Sequence, residues 1–325
     1  MLIARRFFHL PRPHLRHHHH HNHNHNHHHH HRHRRQLVYP NSTPHAPRPH
    51  STMATPSEPS TKRQRTTRSG STPAYELLYH PVLPGRGEYV RLVFEATRTP
   101  YTDVANASPT GYDAVAALCQ SDTAGWDGDG NPPVFAPPAL RVKGAGAEDG
   151  SDLLMYQTAN ILGYLGWATG MVDQGDEVAR AWVAELVMTA LDWNDEAHDT
   201  HHPITSMDYY EDQKPEALRA ATAFRVHRLP KRLGYFSRVL SHAQPYLALN
   251  RLTPADTTLF QVMDGTMHAF PKEMAARRAE FPAVFAHHER IREEDGIKEY
   301  LASGRRLAYG DGIYRHYPEL DRQEE

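Results

Sequence analysis

The sequence predicts an α/β unit followed by an all-α unit, with a histidine-rich leader in front whose default state is disorder. Three observations carry this. Between residues 75 and 165 the apolar pattern reads β-α-β and then β-β-α, the order of an α/β unit with one crossover. From residue 176 to about 301 the long apolar patterns recur at helical spacing. Before residue 73 the chain is dominated by His, Arg, Pro, Ser and Thr, and lacks the apolar area that would offset the entropy of ordering its backbone.

The formal charge of −2 is a cancellation between these parts. Residues 1–72 hold 12 Lys/Arg against a single acid, Glu58, while residues 73–325 hold 24 Lys/Arg against 37 Asp/Glu. Seventeen of the 27 histidines lie in the first 50 residues. The leader supports several readings. Its opening Met-Leu-Ile-Ala-Arg-Arg is Arg-rich and acid-free like a mitochondrial presequence, although Pro11 and Pro13 cut short any amphipathic helix. The His/Asn tract suits weak binding of Ni, Zn or Cu, and Lys62-Arg63-Gln64-Arg65 has the form of an import or polyanion patch. Met53 reads as an alternative start, which would make the tract dispensable.

Composition also excludes. No run of 18 apolar residues is present, which leaves no sequence candidate for a membrane-spanning helix. A single cysteine, Cys119, rules out a disulfide framework, a Cys₄ zinc site and a C-x-x-C pair. One thiol suits a reducing compartment and gives a cytoplasmic expectation, with mitochondrial import as the alternative. The acidic body lacks the clustered cations that a nucleic-acid surface needs.

Taken in order, residues 75–79 (Tyr-Glu-Leu-Leu-Tyr) are a short β-prone run ended by His80-Pro81 and Leu83-Pro84-Gly85. Gly85-Arg86-Gly87-Glu88 leads into a helix over 89–96, which Thr99-Pro100 stops. Residues 101–104 form a second strand. After a Gly/Asp-rich stretch, Pro137-Pro138 opens a third strand over 139–142. Leu153-Leu154-Met155-Tyr156 is the fourth, running directly into a helix from Gln157 or Thr158. The boundaries expected are a leader over 1–72, an α/β domain over 73–168 and a helical domain over 169–325.

Three pieces of this sequence, in this order, resemble the glutathione transferases of the tyrosine type (sigma-, pi-, mu- or alpha-like, or a fungal form). They are Tyr79, Pro81, Val82, Gly85-Arg86-Gly87-Glu88 and Val90-Arg91-Leu92; then Met155-Tyr156-Gln157-Thr158-Ala159-Asn160; then Leu247 with Leu252-Thr253-Pro254-Ala255-Asp256. The resemblance spans about residues 74–300. It implies a thioredoxin-like domain followed by an all-helical domain, commonly paired as a homodimer. The implied activity is attack of the thiolate of glutathione, a co-substrate, on a small hydrophobic electrophile, as in detoxification. No other cofactor, metal, membrane or nucleic-acid partner is implied.

The resemblance assigns roles. Tyr79 donates its hydroxyl to the thiolate and Arg86 supports it. A free thiol has a pKa of about 8.5, and each unit of lowering needs about 1.4 kcal/mol of preference for the anion. A hydroxyl donor supplies such a preference. Gln157 and Thr158 bind the γ-glutamyl end, where the free N–H groups of a helix start favour a carboxylate. Pro138 matches a cis-proline, preceded by Pro137, which faces the cysteinyl unit. Trp126 offers an indole N–H to the glycyl carboxylate. Asp192, or alternatively Asp195, matches an acid that reaches the γ-glutamyl amine of the partner subunit.

The departures from the pattern are specific. Pro137 has no N–H, which removes one hydrogen bond worth about 0.5–1.5 kcal/mol. The loop from Tyr79 to Gly85 is one residue longer than usual. Residues 99–140 contain no Lys or Arg for the glycyl carboxylate. These motivate an alternative, a binding or scaffold protein of the same fold without the reaction.

In the helical unit, residues 176–192 put Val178, Trp182, Val183, Leu186, Val187, Ala190 and Leu191 on one apolar face. Thr253-Pro254-Ala255-Asp256 reads as a capping box with Pro at the first helical position. His198 and His202, with Asp199, allow three readings: a metal site, pocket lining, or a solvated helix end near Pro203. The solvated end is the default, and no metal is expected. The tail, with Tyr309, Tyr314 and Tyr317 among Gly and Arg, has the composition of a segment that packs on the body.

Overall fold

A computed structural model describes residues 74–119, 125–148, 150–242 and 245–323. The expectations for the leader, including targeting, metal binding, the basic patch and the start at Met53, lie outside the described residues.

The first part is a four-stranded mixed sheet with helices. Its elements are β1 (Tyr75–Leu78), α1 (Gly87–Thr97), β2 (Tyr101–Asp103), α2 (Val104–Ala107), α3 (Gly111–Cys119), β3 (Ala139–Val142), β4 (Leu153–Tyr156) and α4 (Thr158–Ala168). The strand order is β2-β1-β3-β4. β1 runs parallel to β2, as a helical crossover permits, and antiparallel to β3, which is antiparallel to β4. The strands and crossover follow the periodicity. The exception is α2 and α3, which lie in the stretch that reads as Gly/Asp-rich loop. Val115 of α3 is its one fully enclosed side chain, packed with Leu78 and Ala139, so the signal was a single apolar position.

The register decides the location of function. Leu78 pairs with Ala139, and Ala139 pairs with Tyr156. The residues that follow Leu78, precede Ala139 and follow Tyr156 therefore leave the sheet at the same edge. These are Tyr79, Pro138 and Gln157.

The second part comprises α5 (Glu177–His198), α6 (Lys214–Ala223), α7 (Leu229–Val239), α8 (Pro254–Ala269), α9 (Pro271–Arg277), α10 (Pro282–Arg292) and α11 (Asp295–Ala302). Asp176 caps α5 by accepting from the Ala179 N–H at 2.9 Å. Its inner face holds Val183, Leu186, Val187, Ala190, Leu191 and Trp193. Val178 and Trp182, expected on that face, are instead 57 % and 51 % exposed, because Ala179 and Val183, one position on in the same turns, are the residues that face inward. Between α6 and α7 the backbone widens into a π turn over Phe224–Arg228. Pro230 lies two residues beyond and has no N–H for the i−4 bond, the usual cause of such a local change.

α8 is the central post, buried along almost its whole length and packed against α1, α4, α5 and α10. The tail folds onto it. A Cβ on Gly265 would come within 2.3 Å of the Tyr314 ring, so this glycine is the groove in which the tail seats. Further along, Asp321 caps α9 by accepting from the N–H groups of Lys272 and Glu273 at 2.8 and 3.0 Å.

The two parts are joined by buried charge. Glu88 of α1 is fully enclosed, and accepts from Arg91 at 3.1 Å and from the Tyr300 hydroxyl at 2.9 Å. Arg306 of the tail also pairs with it. Arg91 reaches Asp103 at 2.8 Å, and Arg306 reaches Asp264 of α8 at 3.2 Å. Every carboxylate here has a cation, which burial at this depth requires. Among the described residues, no helix is long and apolar enough to cross a membrane.

Candidate active site

Tyr79 leaves β1 and is 6 % exposed. The turn behind it consists of glycines because its ring occupies the space. A Cβ on Gly85 would lie 2.2 Å from the Tyr79 hydroxyl, and one on Gly87 would lie 2.5 Å from the ring. Gly85 also has φ +45°, in the left-handed region. Within the loop, Val82 has φ 56° and is 71 % exposed.

The Tyr79 oxygen accepts from the Arg86 backbone N–H at 2.8 Å. That bond uses a lone pair and leaves the phenolic proton free to donate. Burial pushes the Tyr79 pKa up, partly offset by this N–H and by the positive charges of Arg91 and Arg86. The group therefore stays a neutral donor well above neutral pH. Arg86 supports the tyrosine through its backbone. Its guanidinium turns away to pair with Asp195 of α5, while Arg91 lies 5.9 Å from the centre of the Tyr79 ring. His80, the next residue, packs edge-on to Tyr79 and lies 3.2 Å from the Tyr112 hydroxyl through Nδ1.

Across the edge, the peptide between Pro137 and Pro138 is cis, with Pro138 buried. Gln157 follows β4 at φ 70°, a conformation costly for a residue with a side chain. It turns the chain so that α4 begins at once. Thr158, its first residue, is 2 % exposed, and its hydroxyl has no hydrogen-bond partner. No side chain caps this helix start. A buried, unpaired hydroxyl beside unpaired helical N–H groups is a costly arrangement unless something else supplies acceptors.

The structure thus gathers Tyr79, Arg86, Pro137, Pro138, Gln157 and Thr158 at one sheet edge. Two expected residues stand apart among the described contacts. Trp126 is 73 % exposed in the segment before β3. Asp192 has a side chain 69 % exposed and lies 3.8 Å from Arg232. Of the two acids left open in the sequence, Asp195 is the one bonded to the site. Arg141 of β3 and Lys143 just after it are committed, to Glu76 at 2.9 Å and to Asp152 at 3.0 Å.

Sequence reasoning missed a polar chain behind the edge. Asp195 accepts from Asn194 at 2.9 Å, Asn194 accepts from the Tyr89 hydroxyl at 2.7 Å, and Tyr89 lies 3.1 Å from the Tyr314 hydroxyl. The two contacts of Tyr89 join residues more than a hundred positions apart, and no local motif signals them. The histidines at the end of α5 also differ from expectation. The helix stops at His198, so His198 and His202 do not share a helical face. The third imidazole near them is His201, with Asp199 serving as a hydrogen-bond partner of His198. Burial, reinforced by Arg315, lowers the His201 pKa to about 2.

Burial also pushes the Cys119 thiol up to about 11, leaving it protonated at neutral pH. A thiolate used here would have to be brought by a ligand.

Comparison with known proteins agrees with this geometry. Residues 198–304 match the family described as glutathione S-transferase, C-terminal domain. Among solved structures, the chain is similar to a Fasciola hepatica sigma class glutathione S-transferase, at 19 % identity and TM-score 0.51 over 70 % of this chain and 95 % of that one. It is also similar to a prostaglandin synthase D of Nilaparvata lugens, at 15 % identity and TM-score 0.51 over 71 % and 98 %. No curated protein matches the sequence. The described body therefore has the glutathione S-transferase fold, and residues 198–304 match that family's C-terminal domain.

Proposed function

We propose that the protein is a transferase that binds glutathione at the Tyr79 edge and conjugates its thiolate to small apolar electrophiles. The observation that carries this is the Tyr79 hydroxyl: buried, fixed by the Arg86 N–H, and with its own proton free. It donates to the sulfur and favours thiolate over thiol. The N-terminus of α1 lies beside it and adds positive potential. The thiolate attacks the electrophilic carbon, the S–C bond forms as the leaving group departs with its electron pair, and the thiol proton goes to solvent. Gln157, Thr158 and the start of α4 take the γ-glutamyl carboxylate. Asp195, through Arg86, holds the Tyr79 turn against the helical part.

One observation favours a second reading, a glutathione-binding or scaffold protein without turnover. Pro137 offers no N–H to the cysteinyl unit, and Arg141 and Lys143 are already paired and so not free for the glycyl carboxylate. Two measurements on the full chain separate the readings. Conjugation of glutathione to an aryl halide should be measurable, and Tyr79→Phe should reduce it on the order of 100-fold. Calorimetric titration should show glutathione binding in both proteins. Binding without turnover supports the second reading, and an unchanged rate in Tyr79→Phe removes the role given to that hydroxyl. Homodimerisation and a cytoplasmic or mitochondrial location belong to the same proposal, tested by sedimentation and by imaging of a tagged full-length chain.

A further inference from the structure

At the foot of α5, His198, His201 and His202 each bring a ring nitrogen within 4.8 Å of the other two. His198 and His202 stack with centroids 4.9 Å apart, and His201 lies 4.8 Å from His202. The partners of these rings dictate their tautomers. His198 Nδ1 is 3.2 Å from the Asp199 carboxylate, and His202 Nδ1 is 3.1 Å from the Asp208 carbonyl. Both oxygens only accept, so each Nδ1 carries the proton and each Nε2 keeps its lone pair. His201 is 2 % exposed, and its Nε2 has no hydrogen-bond partner. His201 therefore has its Nε2 uncommitted and His198 keeps an Nε2 lone pair, while the His202 ring also has the Thr205 carbonyl beside it.

Orientation of an imidazole by a carboxylate or carbonyl on its second nitrogen is the usual outer arrangement of a metal-bound histidine. We propose that His198, His201 and His202 bind a divalent transition metal of the zinc class through three imidazole nitrogens, leaving a fourth position for water or an exogenous ligand. Three neutral nitrogen donors select Zn²⁺, Ni²⁺ or Cu²⁺ over Mg²⁺ or Ca²⁺, which require oxygen. Arg315, held by the carbonyls of Gly312 and Asp311, opposes any cation nearby, so the affinity rests on the coordinate bonds and not on net charge. The site is distinct from the Tyr79 edge. It braces the turn after α5 to the tail, since His201 faces Tyr317 at 6.0 Å, and Tyr317 stacks on Tyr210 at 3.9 Å.

The test uses the full chain, stripped of metal by chelation, with Zn²⁺ as the probe and the thermal midpoint as readout. The leader histidines are unchanged in every variant, so the difference between proteins isolates the triad. Zn²⁺ in hundredfold excess over its Kd should raise Tm by about 5 °C or more. Loss of a ligand should weaken binding by about 100-fold or more, beyond the 10–100-fold of an outer-shell change. Accordingly His198→Ala, at a partly exposed position, should abolish the shift, as should His201→Leu. Mg²⁺ should give none. Co²⁺ should add a visible tetrahedral absorption lost in the same variants. Absence of a Zn²⁺ shift in the wild type, or its persistence in His198→Ala, overturns the proposal, and His198→Ala decides alone if His201→Leu fails to fold.

Discussion

Two helices of this protein open on a threonine, one as first residue and one as N-cap, and the two starts are opposites. At α8, Thr253 is sealed: its N–H and hydroxyl both donate to Asp256, at 2.9 and 2.7 Å. The other oxygen of Asp256 accepts from the Leu247 N–H at 2.8 Å and lies 3.0 Å from His287. At α4, Thr158 is equally buried, yet its hydroxyl has no partner, and the residue before it is held at φ 70°. The first arrangement is what folding alone produces, since every buried polar group has been satisfied. The second carries a cost that folding does not recover. It makes sense at a surface where a ligand supplies the missing acceptors.

The contrast can be broken by substitution. The largest effect is expected at the sealed end. Asp256→Ala leaves two N–H groups and a hydroxyl buried without acceptors, and should cost about 3 kcal/mol or more in urea unfolding. A cost near zero would mean that the cap is ornamental.

A second sealed carboxylate sharpens the same point through pH. Burial alone would raise the pKa of Asp264, but the hydrogen bonds from His288 and Tyr309 and the charge of Arg306 overcome it and bring it to about 2, from 3.8. A carboxyl depressed on folding stabilises above its unfolded pKa, and that stability is lost as pH falls through the folded value. Between pH 4 and pH 2, unfolding free energy should therefore fall by roughly 2 kcal/mol from this group. Asp264→Asn should flatten that portion of the curve.

At the open end the expectations invert. Thr158→Val keeps the shape and removes the unpaired hydroxyl, so stability should hold or rise slightly, while glutathione affinity falls about tenfold by calorimetry. Thr253→Val is the matched control, expected to lose about 1 kcal/mol of stability with glutathione binding intact. Equal stability losses in the two variants would erase the distinction drawn here. The smallest effect belongs to Gln157→Gly, which should relieve the backbone and stabilise by about 0.5–1 kcal/mol. Its cost should appear only in ligand binding.

Much of this was legible in advance, and the reason is locality. The strands, the crossover and the helix starts at Thr158 and Thr253 are encoded within a few residues each, while the cis bond before Pro138 was expected from the family resemblance. So was the tail, whose three tyrosines announced packing before Tyr314 was seen against Gly265. The failures are also physical. α3 was passed over because one enclosed valine is a weak periodic signal. Val178 and Trp182 fit a helical repeat, but a repeat cannot show which edge of the apolar stripe turns inward, and Ala179 and Val183 are the residues that do. His201 was missed because the search assumed helical spacing, and the helix ends at His198.

The sequence by itself determined the kind of most elements and the glycine-rich turn after Tyr79, because propensity, capping and glycine requirements act over short stretches of chain; the role of Tyr79 toward a thiolate came from the family resemblance. Only the tertiary structure decided which of those residues meet. The register of three strands brought Tyr79, Pro138 and Gln157 to one edge. Arg86 was matched with Asp195 and not Asp192, and Glu88 with Arg306, two hundred residues away. Such pairings depend on which partner is nearest once water has been excluded, a property of the packed molecule that no segment of it possesses alone.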